Sequence, residues 1–286
     1  MNFELFVSLR YLLAKRRQTF ISLITFISIA GVAVGVTALI VVLAVMNGFQ
    51  DDIRTRILGI TSHMVVGSFN GAFSDHNAIM KEVEKSPGVI AATPFINAQV
   101  MISSGRNVSG PILRGIDPQS ASRVINIQDN MIQGNLGDLR PEAPSADGSP
   151  RQPGIILGVE LCNNLGIRQG EWVTVISPSG RMTPIGQVPK SKLFHVVGII
   201  RSGMYEYDNT LAYISLAAAQ QFLGLGEAVS GIEVRLDDIY SARQIAESLR
   251  SRLGPPFWVR DWMQMNRNLF SALKLEKVVM FIILTL

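Results

Sequence analysis

The sequence predicts a membrane protein in which α-helical membrane segments carry an extracytoplasmic α+β domain. The first observation is an apolar run from Thr19 to Met46. As a helix, this run would be about 42 Å long, which exceeds the ~30 Å hydrocarbon core of a bilayer. The second is the largely polar stretch of about 220 residues that follows, enough for one or two compact domains. The third is another apolar run from Val278 to Leu286, where the chain ends. We expect this run to be the start of a second membrane helix in a longer protein.

The first apolar run is predicted to remain attached and to set the orientation. A cleavable signal peptide has an apolar core of only about 7 to 15 residues and a small-x-small cleavage site, which this run lacks. Arg10, Lys15, Arg16 and Arg17 precede the run. Because basic flanks stay in the cytoplasm, the N-terminus is placed inside and the domain from Gln50 onward outside. In a bacterium, outside the inner membrane means the periplasm or the cell exterior.

Residues 1–18 are predicted to form a cytoplasmic helix that lies along the membrane surface. Its polar residues Glu4, Ser8, Tyr11 and Lys15 fall on one narrow helical stripe, and apolar residues cover the remainder. The alternative is that this helix packs on other helices.

Two features of the first membrane helix, predicted to extend over residues 19–58, suggest contacts. Gly31 and Gly35 form a GxxxG element where another helix can approach closely, although such spacings also arise by chance. The outer half of the helix offers a path for lipid or for an acylated protein, formed by Leu39, Ile40, Leu43 and Met46. The alternative is that these four side chains only face bulk lipid.

Two similar strand–helix–strand patterns predict one membrane-proximal α+β sheet, formed by residues 59–109 and 226–262. The predicted elements are 62–66, 75–85 and 90–98 in the first pattern, and 231–236, 239–252 and 257–260 in the second. Gly88 and Gly254, each next to proline, are expected to end the two helices. Residues 263–286 are predicted to lead into the second membrane helix.

Residues 110–225 are predicted to be a β-rich insert. Short apolar runs at 155–157, 172–176 and 194–200 alternate with glycine and proline turns, and brief helices are expected at 160–165 and 216–223. Residues 140–153 have the composition of a mobile surface loop.

Composition and motifs argue against several functions. The net charge is only +4, and the basic residues follow no nucleic-acid-binding motif, so nucleic acid is not expected as a partner. Cys162 is the single cysteine, which excludes an internal disulfide and a cysteine metal cluster. The chain has no GxxxxGK[ST], HExxH or GxSxG motif, and we expect neither a metal site nor catalytic residues. A thiol site formed by Cys162 and His195 is the remaining enzymatic alternative.

The segment 177–192, SPSGRMTPIGQVPKSK, is predicted to be a protruding binding loop. It is too long for a tight hairpin turn and too rich in proline for a regular ladder. Exposed Met182, Pro184 and Ile185 on a loop stiffened by proline suit an apolar groove of another protein, because docking would cost little conformational entropy. The alternative is an ordinary long hairpin loop.

Three stretches resemble one family across essentially the whole chain. They are FELFVSLRYLLAKRRQTFISLITFISIAGVAVGVTALIVVLAVMNGFQ near the N-terminus, GPILRGIDP at 110–118 and TPIGQVP at 183–189. Together they resemble the transmembrane subunits of lipoprotein-releasing ABC transporters, the LolC/LolE family. The first stretch is shared more loosely with macrolide-exporter and cell-division permeases, whereas the third is specific to the lipoprotein branch.

The resemblance implies a type VII ABC permease-like fold with four membrane helices. It implies a cytoplasmic ABC ATPase dimer as partner, which binds ATP, so that no cofactor is expected in this chain. The other implied partners are a second permease subunit (the same or a paralogue), a periplasmic lipoprotein carrier, acylated lipoproteins and membrane lipid. The implied function is extraction of lipoproteins from the outer leaflet of the inner membrane and their transfer to the carrier. The alternative is a related exporter or mechanotransmission permease without carrier docking.

The resemblance also implies a hook that clasps the carrier and a neighbouring basic pad. The hook residues are Pro178, Arg181, Met182, Thr183, Pro184, Ile185, Gly186 and Pro189. The pad residues are Thr174, Lys190, Ser191 and Lys192, with threonine at 174 where the family has arginine. Rigid helical extensions over 47–58 and 263–275 are expected to transmit ATP-driven motion to the periplasmic domain.

Overall fold

The computed structural model describes residues 3–13, 19–105, 107–139, 152–183 and 186–285. The predicted loop at 140–153 therefore lies almost entirely outside the described residues. Two compact units are present, Met1–Ile53 with Asn268–Leu286 and Arg54–Arg267.

Helices and strands follow one another through most of the chain. The helices are α1 Phe3–Leu13, α2 Thr19–Ile60, α3 His76–Glu84, α4 Pro118–Val124, α5 Val159–Leu165, α6 Tyr205–Thr210, α7 Leu216–Leu223, α8 Ala242–Leu253, α9 Trp262–Met265 and α10 Arg267–Thr285. The strands are β1 Met64–Ser68, β2 Val89–Gln99, β3 Met101–Ser103, β4 Val108–Ser109, β5 Ile112–Ile116, β6 Met131–Gln133, β7 Gly154–Gly158, β8 Trp172–Thr183, β9 Gly186–Ile200, β10 Leu211–Ser215, β11 Gly231–Leu236 and β12 Phe257–Asp261. Three short 3₁₀ helices lie at Gln128–Asn130, Leu136–Leu139 and Ile239–Ser241.

The first unit is helical and contains the apolar run predicted to span the membrane. Among the described residues, one helix is long and apolar enough to cross a bilayer, Phe20–Gln50, with a mean hydropathy of 2.7. Its Thr25 and Thr37 hydroxyls donate to the carbonyls one turn earlier, at 2.9 and 2.7 Å. These bonds satisfy polar groups that would be costly to leave unpaired in hydrocarbon.

The second unit is built on one sheet, in the order β12-β1-β11-β2-β5-β10-β7-β9-β8-β3-β4, with β6 paired to β9. The four strands of the two strand–helix–strand patterns are neighbours, β12-β1-β11-β2, and pair antiparallel. Gly254, with φ of 60°, follows α8 in a backbone conformation that suits glycine, as the pattern predicted. The prediction of a single sheet formed from both patterns is confirmed.

The strands of the predicted insert continue this same sheet. β5 pairs with β2, and β10 then pairs parallel with β5, so the sheet passes from one predicted region into the other. The predicted short helices are present as α5 and α7. The predicted boundary between the two regions, at residue 109, does not match the sheet. β3 and β4 precede residue 110 in sequence, but they join the far edge of the sheet through β8.

The core of the second unit lies where the central strands meet α4 and the adjoining short helices. Ala121 and Val124, on one face of α4, are fully buried there. The Asp117 side chain caps this helix by accepting from the Ser120 N–H at 3.1 Å, and Pro118 occupies its first turn. The cluster comprises Ala91, Ile116, Ala121, Val124, Ile125, Ile127, Leu136, Leu139, Ile156, Ile200, Leu211 and Tyr213.

A charged pair is buried within the sheet. Arg114 of β5 contacts Glu233 of β11 at 2.7 Å, and both side chains are less than a tenth exposed. Ser62 donates to the same Glu233 oxygen at 3.2 Å. Burial disfavours the charge on Arg114, but the Glu233 carboxylate and the Tyr213 hydroxyl together outweigh this effect, and the pKa of Arg114 is raised. Each partner of the pair therefore depends on the other.

The predicted extension over 263–275 is not one continuous helix. α9 ends at Met265 and α10 begins at Arg267, with Asn266 between them. The Asn266 side chain donates to the Trp262 carbonyl at 2.9 Å, and its own N–H donates to the same oxygen at 3.2 Å. The side chain of Asn266 therefore shares the carbonyl oxygen that accepts its own backbone N–H, at the residue where the two helices are interrupted.

Candidate functional site

The predicted binding loop is part of a long β-hairpin formed by β8 and β9. The expectation that this segment is too rich in proline for a ladder is wrong. The outer ladder pairs Arg181 with Val188, Met182 with Gln187 and Thr183 with Gly186. Of the hook residues, Pro184 and Ile185 lie outside the described residues. The hairpin gives the hook a regular two-stranded arm in place of an irregular loop.

The ladder accommodates its prolines at an irregularity. Ser177 pairs with Lys190, and the next pair outward is Arg181 with Val188, so residues 178–180 face Pro189 alone. A bulge of this kind releases residues from ladder hydrogen bonding, which is where proline is tolerated in a sheet. Pro178 and Pro189 are both exposed there. The two prolines therefore mark the base of the outer arm.

Gly180 at this bulge is a residue that the sequence analysis missed. A Cβ on Gly180 would lie 1.8 Å from the Val188 carbonyl oxygen and 2.9 Å from the Pro189 nitrogen. Both are backbone atoms, so no side-chain rotation would make room. The close crossing of the two strands therefore requires glycine. In the sequence, the available sign was a glycine between the first hook proline and Arg181. Its requirement for glycine follows only from the pairing register of the two strands, which the sequence does not give.

The predicted pad residues lie on two opposite faces of the hairpin. Lys190 pairs with Ser177, and Lys192 pairs with Val175, whose side chain is buried. Because side chains alternate along a strand, Thr174 and Ser191 point to the other face. The structure therefore places Thr174 and Ser191 on one face of the hairpin and the two lysines on the other. A single basic pad made of all four residues is not formed.

Both lysines point toward the C-terminal end of α7. Lys192 Nζ donates to the Gln221 side-chain oxygen at 2.9 Å. Lys190 also lies near Gly224, the residue that follows α7: its Nζ is 2.9 Å from the point that a Cβ on Gly224 would occupy. A cation near a helix C-terminus is favoured by the helix dipole. Burial lowers the pKa of Lys192.

A groove lies between this part of the hairpin and α7. Its volume is about 440 Å³, and it is lined by Val188, Pro189, Lys190, Ser191, Lys192, Gln221 and Phe222.

Comparisons with known proteins identify the family. Residues 25–252 match the family model described as the MacB-like periplasmic core domain. The chain is 40% identical over 286 residues to the lipoprotein-releasing system transmembrane protein LolC of Neisseria meningitidis, covering 100% of this chain and 67% of that protein. The chain belongs to the LolC/LolE family.

Other relatives agree with this LolC/LolE assignment. LolC of Xylella fastidiosa is 35% identical over 280 residues, covering 98% of this chain and 65% of the relative. LolE of Haemophilus influenzae is 25% identical over 292 residues, covering 100% of this chain and 67% of that protein. The chain thus spans about two thirds of the length of these relatives. Among solved structures, the periplasmic region of MacB from Actinobacillus actinomycetemcomitans has a TM-score of 0.46 at 16% identity, covering 75% of this chain and 94% of that one.

The other predicted contacts of this LolC/LolE-family chain lie on α2. Leu39, Leu43 and Met46 are half-buried, whereas Ile40 is exposed. A Cβ on Gly31 or Gly35 would meet nothing within 4 Å among the described atoms. The lipid path and the helix-packing role remain predictions.

The alternative thiol site is not formed. Cys162 is buried in α5, and burial raises the pKa of its thiol to about 12. The His195 ring instead contacts the Trp172 ring, with 4.8 Å between the ring centroids and an angle of 42° between the ring planes, and its Nε2 lies 3.0 Å from the Gly170 carbonyl oxygen. Within the described parts of the chain, no group of three or more His, Cys, Asp or Glu could hold a metal ion.

Proposed function

We propose that this chain is part of a permease subunit of a lipoprotein-releasing ABC transporter. The subunit would extract acylated lipoproteins from the outer leaflet of the bacterial inner membrane and pass them to a periplasmic carrier. A separate cytoplasmic ATPase dimer would drive the cycle, and a second permease subunit, the same or a paralogue, would complete the membrane part.

The observation that carries this proposal is the two-stranded arm at the end of β8 and β9, in a chain of the LolC/LolE family. The arm has regular pairing on both sides of the proline bulge, so little backbone entropy remains to be lost when a partner binds. A prearranged arm of this kind suits repeated capture and release of a soluble protein. The turn sequence Thr183–Pro184–Ile185–Gly186 would insert into an apolar groove of the carrier.

The subunit would act mechanically and without catalytic residues of its own. The burial of Cys162 and the engagement of His195 with Trp172 support this inference. The half-buried side chains of Leu39, Leu43 and Met46 fall on one stripe of α2 at spacings of four and three residues. We infer that this stripe, with the neighbouring Ile40, forms the apolar path for the acyl chains.

A reconstituted release assay tests the proposal. The full-length protein, with its ATPase and second permease subunits, is placed in liposomes carrying a fluorescent acylated lipoprotein. We expect ATP to release the lipoprotein only when the carrier is present. The substitution Pro184→Ala should lower the release of lipoprotein at least tenfold while ATP hydrolysis continues, because the hook would bind the carrier and would take no part in ATP hydrolysis. Pro118→Ala, in the first turn of α4, is the matched control and should release normally.

Two results would contradict the proposal. Release that proceeds equally without the carrier would favour the alternative exporter. Normal carrier-dependent release by the Pro184 variant would reject the hook.

A further inference from the structure

A short series of buried polar side chains joins the end of α2 to the first strand of the predicted insert. Ser62 lies two residues after α2 and is buried. Its hydroxyl donates to Glu233 Oε1 of β11 at 3.2 Å, and Arg114 Nη2 of β5 lies 2.7 Å from the same oxygen. We call Ser62, Glu233 and Arg114 the buried link.

The α2 end of the buried link is fixed to the sheet. Residues 54–60 of α2 belong to the same compact unit as the sheet. Next to Ser62, the His63 N–H donates to the Val234 carbonyl at 3.1 Å, and the His63 carbonyl accepts from the Trp262 N–H at 3.0 Å. Trp262 begins α9, so the chain enters the sheet from α2 and leaves it toward α9 at the same point. A displacement of either helical connection would therefore reach Ser62 directly.

The other end of the buried link crosses the boundary between the two predicted regions. Arg114 is on β5, Glu233 is on β11, and β2 lies between these strands in the sheet. The Arg114 guanidinium carbon lies 5.5 Å from the ring centroid of Phe95 on β2 and 5.9 Å from that of Tyr213 on β10. The ion pair therefore holds together two strands that share no backbone ladder.

The contacts continue from β5 to the hairpin through α7. Gly115, next to Arg114, lies so close to α7 that a Cβ at this position would conflict sterically with the Ala219 side chain. Two residues further along α7, the Gln221 side-chain oxygen accepts from Lys192 of β9 at 2.9 Å. A contiguous series of contacts thus extends from the end of α2 to the strand that leads to the hook.

Stability alone does not account for an ion pair at this position. Removing charged groups from water is costly, and well-packed apolar residues are often at least as stabilising. Charged hydrogen bonds depend on distance and direction, however, whereas apolar contacts are non-directional. Arg114 Nε and Glu233 Oε2 have no hydrogen-bond partner among the residues that the structure describes, so both atoms are available to a second arrangement of the pair. Such a pair fixes one relative position of two parts of a sheet and permits a change to another.

We infer that the buried link transmits ATP-driven displacement of α2 and α9 to the strands that carry the hook. This inference rests on the proposed function and adds the residues through which motion would pass. All three residues are buried, so they would position the hook without contacting the lipoprotein or the carrier. Loss of the link should therefore spare ATP hydrolysis and carrier binding but reduce the lipoprotein released for each ATP hydrolysed.

The ratio of lipoprotein released to ATP hydrolysed, measured with the full-length transporter in liposomes, tests this inference. The double variant Arg114→Leu with Glu233→Leu leaves no unpaired charge, so the domain should fold with near-normal stability. We expect its ratio to fall at least about fivefold while carrier affinity stays within about twofold of normal. Ser62→Ala, which removes only the connection to α2, should lower the ratio about threefold. The matched control is Ser86→Ala, which removes another buried hydroxyl, bonded to Arg252 outside the link, and it should behave normally.

The possible outcomes separate this inference from the proposed function. A normal ratio in the stable double variant, or equal ratios for Ser62→Ala and Ser86→Ala, would overturn the inference and leave lipoprotein release standing. Loss of carrier affinity in the double variant would also overturn it, because the pair would then shape the hook and not transmit motion. If the double variant does not fold, the comparison of Ser62→Ala with Ser86→Ala decides. An unmodified, complete transporter that releases no lipoprotein to the carrier would contradict the proposed function itself.

Discussion

Replacing Gly180 with alanine should open the hook arm without unfolding the domain. The added methyl would lie 1.8 Å from the Val188 carbonyl oxygen, whereas ordinary contact begins near 3.4 Å. The two strands would therefore have to separate by roughly 1.5 Å at this point, which is enough to break N–H···O bonds of ~2.9 Å. Overpacking of this kind costs about 1 to 3 kcal/mol.

This loss of stability should be confined to the outer arm of the hairpin and should not affect the core. Buried side chains of the hairpin end at Ser177 on β8 and begin again at Phe194 on β9, among the side chains that the structure describes. If the arm must be closed to bind, a cost of about 1 to 3 kcal/mol lowers carrier affinity roughly 5- to 150-fold. The global unfolding midpoint should stay close to that of the unmodified protein.

Hydrogen exchange and carrier affinity, measured on the full-length protein, check this prediction. Amides at 181–183 and 186–188 should exchange at least tenfold faster in the Gly180→Ala protein than in the unmodified one. The matched control is Gly137→Ala, whose added methyl would meet only the Asn135 side chain at 3.4 Å. Unchanged exchange together with carrier affinity within twofold of normal would refute the reasoning.

Three further predictions concern the folded domain. Arg114→Leu should lower the free energy of unfolding, measured in urea, by about 3 to 5 kcal/mol, because it leaves the Glu233 carboxylate buried and unpaired. Adding Glu233→Leu should restore most of this free energy. A double variant that loses as much as the two single variants added together would contradict this prediction. Burial, and then the charge of Arg235, lowers the pKa of His63 from 6.5, so the folded state favours the neutral imidazole. The contribution of His63 to stability is therefore complete above pH 6.5 and is lost as the pH falls below 6.5. His63→Asn, which keeps an acceptor for the Leu236 N–H, should therefore lose less stability than the unmodified protein between about pH 7.5 and about pH 5.5, and equal losses would exclude this role. Cys162 should react slowly with maleimide in the folded protein and fully in denaturant, because burial raises the pKa of its thiol to about 12. Rapid labelling of the folded protein would contradict this prediction, since it would show that the thiol is accessible.

The strands of the two strand–helix–strand patterns could be predicted because local signals agreed with the tertiary structure. The apolar run ending at Leu236, the helix after it and Gly254 beyond that helix form a pattern whose parts support one another. The similarity of the two strand–helix–strand patterns then predicted that their strands share one sheet. Apolar length alone was sufficient for α2.

The hairpin and the pad could not be predicted fully because both depend on strand register. Proline in 177–192 argued against a ladder, because sequence did not show that a single bulge at 178–180 accommodates two of the prolines. Register also decides which residues share a face. Lys192 and Ser191 are adjacent in sequence and were placed in one pad, yet neighbouring residues of a strand point to opposite sides. The partner of β3 is likewise set by distant residues of β8.

Site-specific photo-crosslinking in cells tests the central claim most directly. A photoreactive residue at Ile185 or Met182, in the intact and correctly inserted transporter, should form a crosslink to the periplasmic lipoprotein carrier. The same probe at Phe69, which is exposed and lies outside the hairpin, should not. We expect Pro184→Ala to abolish the crosslink from Met182. No crosslink from either hook position in an active complex would contradict the account and would mean that this subunit does not dock the carrier.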